Sequence, residues 1–318
     1  MRIVLLAVWA AIATFQATPQ LPQPAPSTIR VTLLGTGNPR PSADRFGPSI
    51  LVEAGTERLL VDAGRGSTIR LFEVGSAPLL SGITAVLLTH LHSDHVVGLP
   101  DLWLTGWLFG RTTPLDIYGP AGTREMASGF ERAFAFDVRM RRDIDEHLPA
   151  SGVEMRPNDV TPGVILERGG VRVLAFAVDH GPVNPALGYR IDYGTRSVVL
   201  SGDTRYSTSL IEAARGADVL IHEVLSPEVE RRRGLVDAAA MDRIIAHHVT
   251  PEEAGKVFTA VSPRLAVYSH IVPSPATAGD LVAPTRRTYK GRLAVGYDLM
   301  EILIGDAIVV RKRAAIPE

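Results

Sequence analysis

The chain has no cysteine among its 318 residues. This excludes disulfides, thiolate metal ligands and a lipid-anchoring cysteine. It leaves the compartment open, because disulfide-free chains occur in oxidising and reducing environments alike. The chain also lacks an excess of either charge: 33 Lys and Arg stand against 34 Asp and Glu, a net charge of −1. No overall basic field advertises nucleic acid, so a nucleic-acid partner is not expected. The basic runs Arg139–Arg142 and Arg231–Arg233 adjoin acidic residues and read as solvated faces. Beyond the N-terminus, no apolar run is long enough to span a bilayer.

What is present begins with an export pattern. One arginine precedes an unbroken apolar run from Ile3 to Ala13, followed by small residues and a Pro/Gln-rich stretch. The run is too short for a stable membrane anchor, so residues 1–17 are expected to be a secretory signal peptide. Its removal would leave a periplasmic or secreted protein with no membrane anchor, and the single Arg argues against the twin-arginine route. Residues 18–28 carry four prolines and no periodicity, and read as a linker. The rest, 29–318, is 46% hydrophobic and 21% charged counted over the whole chain, as for a globular domain with a sizeable core.

Strand-like and helix-like segments alternate along that domain without an internal repeat. "IRVTLLGTG" (29–37), "SILVEAGTERLLVDAG" (49–64, turning at Gly55) and "AVLLTH" (85–90) read as strands. So do "VRVLAFAVDH" (171–180), "ALGYRIDYGTRSVVLSGD" (186–203), "ADVLIHEVL" (217–225), "RLAVYSH" (264–270) and the closing segment from Arg292. "DLWLTGWLFG" (101–110) is apolar all round and predicts a buried helix; "TREMASGFERAFAF" (123–136) has helical spacing. Thr250, Pro251 and Glu253 form a capping-box signature for a helix over 250–261.

The chemistry is concentrated in "THLHSDHVVG" (89–98), which takes three of only nine histidines. Burial alone would leave several imidazole nitrogens needing partners, and a metal is the obvious one. Further along, His180, Asp203, His222 and His270 sit at or near the ends of apolar strands, as His90 does. Strand ends are where a rigid sheet can hold side chains in a common pocket. His90, His92, Asp94, His95, His180, Asp203 and His270 make seven candidate ligands, enough for two zinc ions if one carboxylate is shared. His147 is left over as a surface residue. Trp103, Trp107 and Phe109 fit a pocket lining, a dimer interface or the core, and core packing is the default.

The pattern H-x-H-x-D-H followed by distant His, Asp and His resembles the metallo-β-lactamase superfamily over about residues 29–310. That resemblance implies an α/β fold, an αββα sandwich of two mixed sheets flanked by helices. It implies one zinc ion on His90, His92 and His180, a second on Asp94, His95 and His270, and Asp203 bridging. Asp62 matches a position near the metals; a polar turn residue after a strand is the alternative reading. Within the superfamily, "LLGTGNPRP" (33–41), "RFGPSILV" (45–52), "IYGPAGT" (117–123), "LIHEV" (220–224), "HVTPEEAG" (248–255) and "YSHI" (268–271) resemble the ribonuclease Z and zinc-dependent arylsulfatase branch. There Glu223 and His248 would act on the leaving group, with Asp94 completing the catalytic set; helix capping is the other reading of His248. His222 and His247 would support the site. A homodimer is the candidate oligomer of that branch.

Departures from the pattern sort the relatives. His180 and Asp203 are separated by only a strand hairpin, so the tRNA-gripping arm of ribonuclease Z is absent. Bridging Asp203 departs from true metallo-β-lactamases, and His92 departs from redox di-iron relatives. The expectation is therefore an exported dinuclear zinc hydrolase of a small-molecule phosphate or sulfate ester. Lactone or β-lactam hydrolysis and ribonuclease Z-like nuclease activity are the alternatives. A structural zinc protein is disfavoured, because structural sites need no acid/base pair.

Overall fold

The computed structural model describes residues 27–234, 237–273 and 276–313. The expected signal peptide, and all of the linker but Ser27 and Thr28, lie outside the described residues. From Ile29 the chain builds β1 (Ile29–Gly35), β2 (Ser49–Ala54), β3 (Glu57–Val61), β4 (Ala85–Leu87), β5 (Leu115–Gly119) and β6 (Met155–Asp159). A second sheet follows: β7 (Gly163–Arg168), β8 (Val171–Ala177), β9 (Leu187–Tyr193), β10 (Arg196–Leu200), β11 (Val219–Leu225), β12 (Leu265–Val272) and β13 (Leu293–Val295). β14 (Met300–Ile304) and β15 (Ile308–Lys312) return to the first sheet. The strand orders are β15-β14-β1-β2-β3-β4-β5-β6 and β13-β12-β11-β10-β9-β8-β7.

Alternation of side chains explains the layering. Leu59 and Val61 face the other sheet while Leu60 faces helices; Val198 and Leu200 face inward while Val199 faces out; Leu265 and Val267 pair with Ala266 and Tyr268 in the same way. One core therefore lies between the sheets, and each sheet has a second core under its helices. This is the expected αββα sandwich. β11 and β12 are buried on both faces, which is why they read as continuous apolar runs rather than alternating ones.

The buried helix expected over 101–110 spans Leu99–Leu108, and it is not buried all round. Trp103 and Trp107 are core residues whose indole N–H groups donate to the carbonyls of Val153 and Pro149. Leu108 and Phe109 are exposed, and Phe109 meets Phe72 edge-on. The capping box is present as read: Thr250 accepts from the Glu253 amide, and the Glu253 carboxylate accepts from the Thr250 amide. His147 is exposed. Arg141 and Arg142 pair with Asp137, Glu146 and Asp143 at the surface. In the second basic run, Arg232 is solvated and pairs with Asp280, but half-buried Arg233 lines a cleft beside the histidines, so the reading of that run as a solvated face holds only in part.

β3, β4 and β5 are parallel neighbours, as are β10, β11 and β12. β8 runs the same way, being antiparallel to β9, which is antiparallel to β10. The segments that follow these strands therefore open on one edge of the sandwich, the usual place for a site in sheets of this kind.

Candidate metal centre

Three segments that follow strands and one bulged strand bring the seven expected ligands together. The turn after β4 carries His90, His92, Asp94 and His95; His180 follows β8; Asp203 follows β10; His270 lies in β12. Asp203 can arrive where it does because Gly202 takes a left-handed φ of 60°, and a Cβ there would lie 2.6 Å from the Leu187 carbonyl oxygen. His270 itself has φ 43°. It sits in a bulge: His222 pairs with Tyr268 and Val224 with Ile271, so Ser269 and His270 oppose Glu223 alone. The extra residue turns His270 and Glu223 toward the site edge, a common use of bulges.

The ligand atoms converge. His92 Nδ1 lies 3.0 Å from His90 Nε2 and 3.4 Å from His180 Nε2. Asp94 Oδ2 lies 3.6 Å from His95 Nε2 and 3.3 Å from His270 Nε2. Asp203 Oδ2 reaches both groups, at 3.5 Å and 3.4 Å from His95 and His270 and at 4.0 Å and 3.9 Å from His90 and His180. A tetrahedral zinc site with bonds of about 2.0–2.2 Å has ligand–ligand edges of roughly 3.3–3.6 Å. The four edges of the Asp94–His95–His270–Asp203 group given above, 3.3–3.6 Å, fall in that range. Buried His95 Nε2, within 3.6 Å of Asp94 Oδ2 and 3.5 Å of Asp203 Oδ2, has no hydrogen-bond partner among the described residues. Orphaned, converging, acceptor-rich atoms are what a cation requires, and the residues present fit a metal.

The far ring nitrogens are held in turn. Asp62, buried and at φ 58°, accepts from the Thr89 amide (2.8 Å) and hydroxyl (2.9 Å) and from His95 Nδ1 (2.8 Å). The Thr89 hydroxyl, having given its proton to Asp62, lies 3.1 Å from His90 Nδ1 and can accept from it. His180 Nδ1 donates to the His247 carbonyl at 2.8 Å. These bonds fix the tautomers that turn Nε2 lone pairs toward the centre. The turn-residue reading of Asp62 is therefore incomplete: it orients the site. Thr89, which the sequence reading passed over, links Asp62 to His90, and nothing in its residue type signalled that. An Asp62→Ala variant is expected to weaken ion binding by about 10–100-fold, the usual effect of removing such a partner. Competition with a chromogenic chelator would measure it, and wild-type affinity would show that His95 needs no such support.

Electrostatics follow the same wiring. Burial pushes the His90 pKa well below the ordinary value, helped by neighbouring His95. For Asp203, burial opposes the charge, but His270 and His95 outweigh it and hold the carboxyl well below its usual range. Burial also disfavours a charged His95, yet Asp203 and Asp62 raise it well above the ordinary value. Ion binding requires that proton to leave.

His248 and Glu223 meet at the rim. His248 Nδ1 lies at an ion-pair distance of 3.2 Å from Glu223 Oε1, and that oxygen accepts from the amides of Thr204 and Val249. A ring nitrogen of His248 comes within 4.8 Å of the ligand atoms of His180 and Asp203. Burial lowers its pKa, but Glu223 and then Asp203 reverse the effect and bring it to about 9. Since Thr250 caps its own helix, capping does not account for His248. His222 stands behind the ligands rather than among them: its Nδ1 donates to the Glu223 carbonyl at 2.8 Å, and burial lowers its pKa.

The centre opens into a cleft of ≈ 410 Å³ lined by Asn38, Arg40, Arg233, Ile244, His247 and His248 beside the ligands. Arg40 has no carboxylate within ion-pair distance among the described residues, and Arg233 pairs with Glu230 at 3.3 Å. Sequence reading missed Asn38, Arg40 and Ile244 as cleft residues, because only the fold carries their segments to the histidines.

A two-sheet sandwich with a carboxylate shared between two histidine-rich ligand groups, and an acid/base pair at its rim, defines a metal-dependent hydrolase acting on ester bonds. The family model described as "Beta-lactamase superfamily domain" matches residues 57–271. A ribonuclease Z of Mycobacterium sp. (strain KMS) is 36% identical over 290 residues, covering 89% of this chain and 99% of that relative. Among solved structures, the metallo-β-lactamase fold protein YhfI of Bacillus subtilis superposes with a TM-score of 0.67 at 21% identity, covering 87% of this chain and all of that one. The short form of human tRNase Z gives 0.62 at 22%, covering 88% and 100%. The chain belongs to the metallo-β-lactamase superfamily and, within it, stands with the ribonuclease Z proteins.

Proposed function

We propose that the protein is a dinuclear zinc phosphodiesterase of the ribonuclease Z type, cleaving phosphodiester bonds of RNA. The observation that carries this is Asp203 Oδ2 shared between two ligand groups, with the His248–Glu223 pair at their rim. His90, His92 and His180 would hold one ion; Asp94, His95 and His270 the other; Asp203 both. Two bound zinc ions would supply Lewis acidity and a nucleophile active at neutral pH. The chain's own residues do the rest. Glu223 orients and charges the His248 imidazole, and His248 holds a proton above the centre for the departing oxygen. Arg40 and Arg233 place positive charge in the cleft, where a phosphate chain would lie.

Lack of a gripping arm does not argue against this. The ribonuclease Z relative aligns over 99% of its own length with 89% of this chain in 290 positions, which leaves no room for a long insertion there either. That removes the reason for preferring a sulfate ester. A second reading, a small aryl phosphate or sulfate ester, keeps support from the short β9–β10 hairpin, which offers no extra surface for a large substrate.

The deciding experiment compares the zinc-loaded protein on a tRNA precursor, an unstructured RNA, an aryl phosphodiester, an aryl sulfate, a lactone and a β-lactam. RNA and the aryl phosphodiester are expected to be the substrates. An aryl sulfate or a carbonyl substrate cleaved orders of magnitude faster would overturn the reading. Metal analysis after dialysis is expected to return two zinc ions per chain, and a stable one-ion protein would refute the dinuclear centre. The N-terminal sequence pattern supports export to the periplasm or medium; Met1 retained on the protein in intact cells would refute that.

A further inference from the structure

Behind the ligands, between the ends of the two sheets, lies an interior cavity of ≈ 40 Å³. Its walls come from β2, β3, β10, β11 and β12 together with Asp62, Thr89 and His95, and Asp203 and His270 line both it and the substrate cleft. Seven buried polar atoms belong to residues lining it and have no hydrogen-bond partner among the described residues; one, His95 Nε2, converges with the ligand atoms, and the other six are Ser49 Oγ, Asp203 Oδ1, His222 Nε2, Glu223 Oε2, Ser269 Oγ and His270 Nδ1. All six residues are at most 5% exposed. Buried polar groups in folded proteins are nearly always satisfied, so an assembly of six around one void calls for an occupant.

Donors and acceptors identify it. His222 Nδ1 faces a backbone carbonyl, which can only accept, so Nδ1 carries the proton and Nε2 is left as an acceptor. Asp203 Oδ1 and Glu223 Oε2 are acceptors too. On the dinuclear reading, His270 Nε2 serves an ion, so His270 Nδ1 carries a proton and donates. The two serine hydroxyls can do either. A cation would satisfy the three acceptors but not the His270 N–H. Water donates twice and accepts twice, and a cavity of this size has room for about three or four molecules on the scale of one per 10–15 Å³.

The geometry points to a buried water cluster that ties the carboxylates of Asp203 and Glu223 to His222 and Ser269. This makes His222 and Ser269 positioning residues for the shared ligand and for the acid pair at once. The inference rests on the dinuclear reading for the tautomer of His270, and it gives the buried His-Glu pair of β11 a division of labour. Glu223 Oε1 faces His248 and the backbone amides, while Oε2 faces the cluster. Asp203 is arranged in the same way, with Oδ2 toward the ions and Oδ1 toward the cluster. Water on the inner oxygen of each carboxylate holds its outer oxygen in place.

A crystal structure of the zinc-loaded protein tests the occupant. Ordered waters within hydrogen-bond distance of His222 Nε2 and Glu223 Oε2 are expected. An empty cavity, or an ion identified there by its anomalous signal, would overturn the proposal. Zinc occupancy in the same crystals tests the dinuclear reading separately, because the cavity contents can be read whatever the ion count. The positioning role is tested with His222→Leu, which removes the acceptor, and His222→Gln, which keeps one. His222→Leu should lower kcat and zinc affinity by about 10–100-fold, as loss of outer support does, with KM unchanged; His222→Gln should recover most of both. If His222→Leu does not fold, Ser269→Ala, which deletes one hydroxyl, should shift kcat and zinc affinity in the same direction. A folded variant with wild-type kcat and zinc affinity would end the positioning role.

Discussion

An Asp203→Asn variant is expected to lose both ions and nearly all turnover while keeping its fold. Asp203 Oδ2 is the atom nearest to both ligand groups, 3.5 Å and 3.4 Å from His95 and His270 and 4.0 Å and 3.9 Å from His90 and His180. Asn has nearly the same shape, so packing at the end of β10 should survive. What disappears is the negative charge between two dications, and a neutral amide is a poor bridge. Ions at such a centre contribute several kcal/mol of transition-state stabilisation, and each 1.36 kcal/mol is tenfold in rate. The loss of turnover should therefore be roughly 10³-fold or more. Zinc analysis after dialysis and the rate with an aryl phosphodiester measure the two parts. Full zinc content with activity within tenfold of wild type would show that Asp203 does not bridge.

A His248→Ala variant should behave differently, keeping both ions and losing rate in proportion to how badly the leaving group needs a proton. His248 stands outside the two ligand groups as assigned, beside Glu223 at 3.2 Å, with its pKa raised to about 9. Burial alone would favour the neutral ring; the Glu223 carboxylate opposes that and favours the protonated ring, the form that can act as an acid. General acid help is worth about 10²–10⁴-fold. A nitrophenolate leaves without a proton, so an activated aryl ester should lose little. A ribose oxygen or an unactivated alkoxide should lose most of that factor. Glu223→Gln should follow the same pattern more weakly, since the amide still accepts but no longer carries charge. Equal slowing of activated and unactivated esters at full zinc content would remove the acid role. Loss of an ion would instead move His248 into the ligand set, a reading its position within 4.8 Å of His180 and Asp203 makes a fair test.

The metal centre was legible in sequence because coordination admits few residue types. His90, His92, Asp94 and His95 lie in one loop, and His180, Asp203 and His270 each end or interrupt an apolar run. The capping box over Thr250–Glu253 was legible because its two hydrogen bonds are local. Less visible were segments whose local pattern is weak. β6 contains Pro157 and stands at a sheet edge, where proline is tolerated but alternation is lost. The helix Ser67–Ser81 carries Pro78 and breaks at Ser76, so no continuous helical period announces it. The helix around Trp107 looked apolar on every side, yet one side of it meets the surface.

Sequence alone determined the seven side chains able to hold metal, because coordination depends on residue type and strand-end position, and the family and its sandwich followed from the resemblance that those motifs carry. Tertiary structure decided how those side chains are used. Which atoms meet is answered only by packing two sheets whose strands end on one edge. That packing gave Asp62 and Thr89 their hold on His95 and His90, brought Arg40 and Arg233 to the cleft, and turned Glu223 and His270 through a bulge in β12. It also left six polar atoms facing one small cavity. None of these relations has a local signature, because each joins residues far apart in the chain through contacts that exist only once both sheets are assembled.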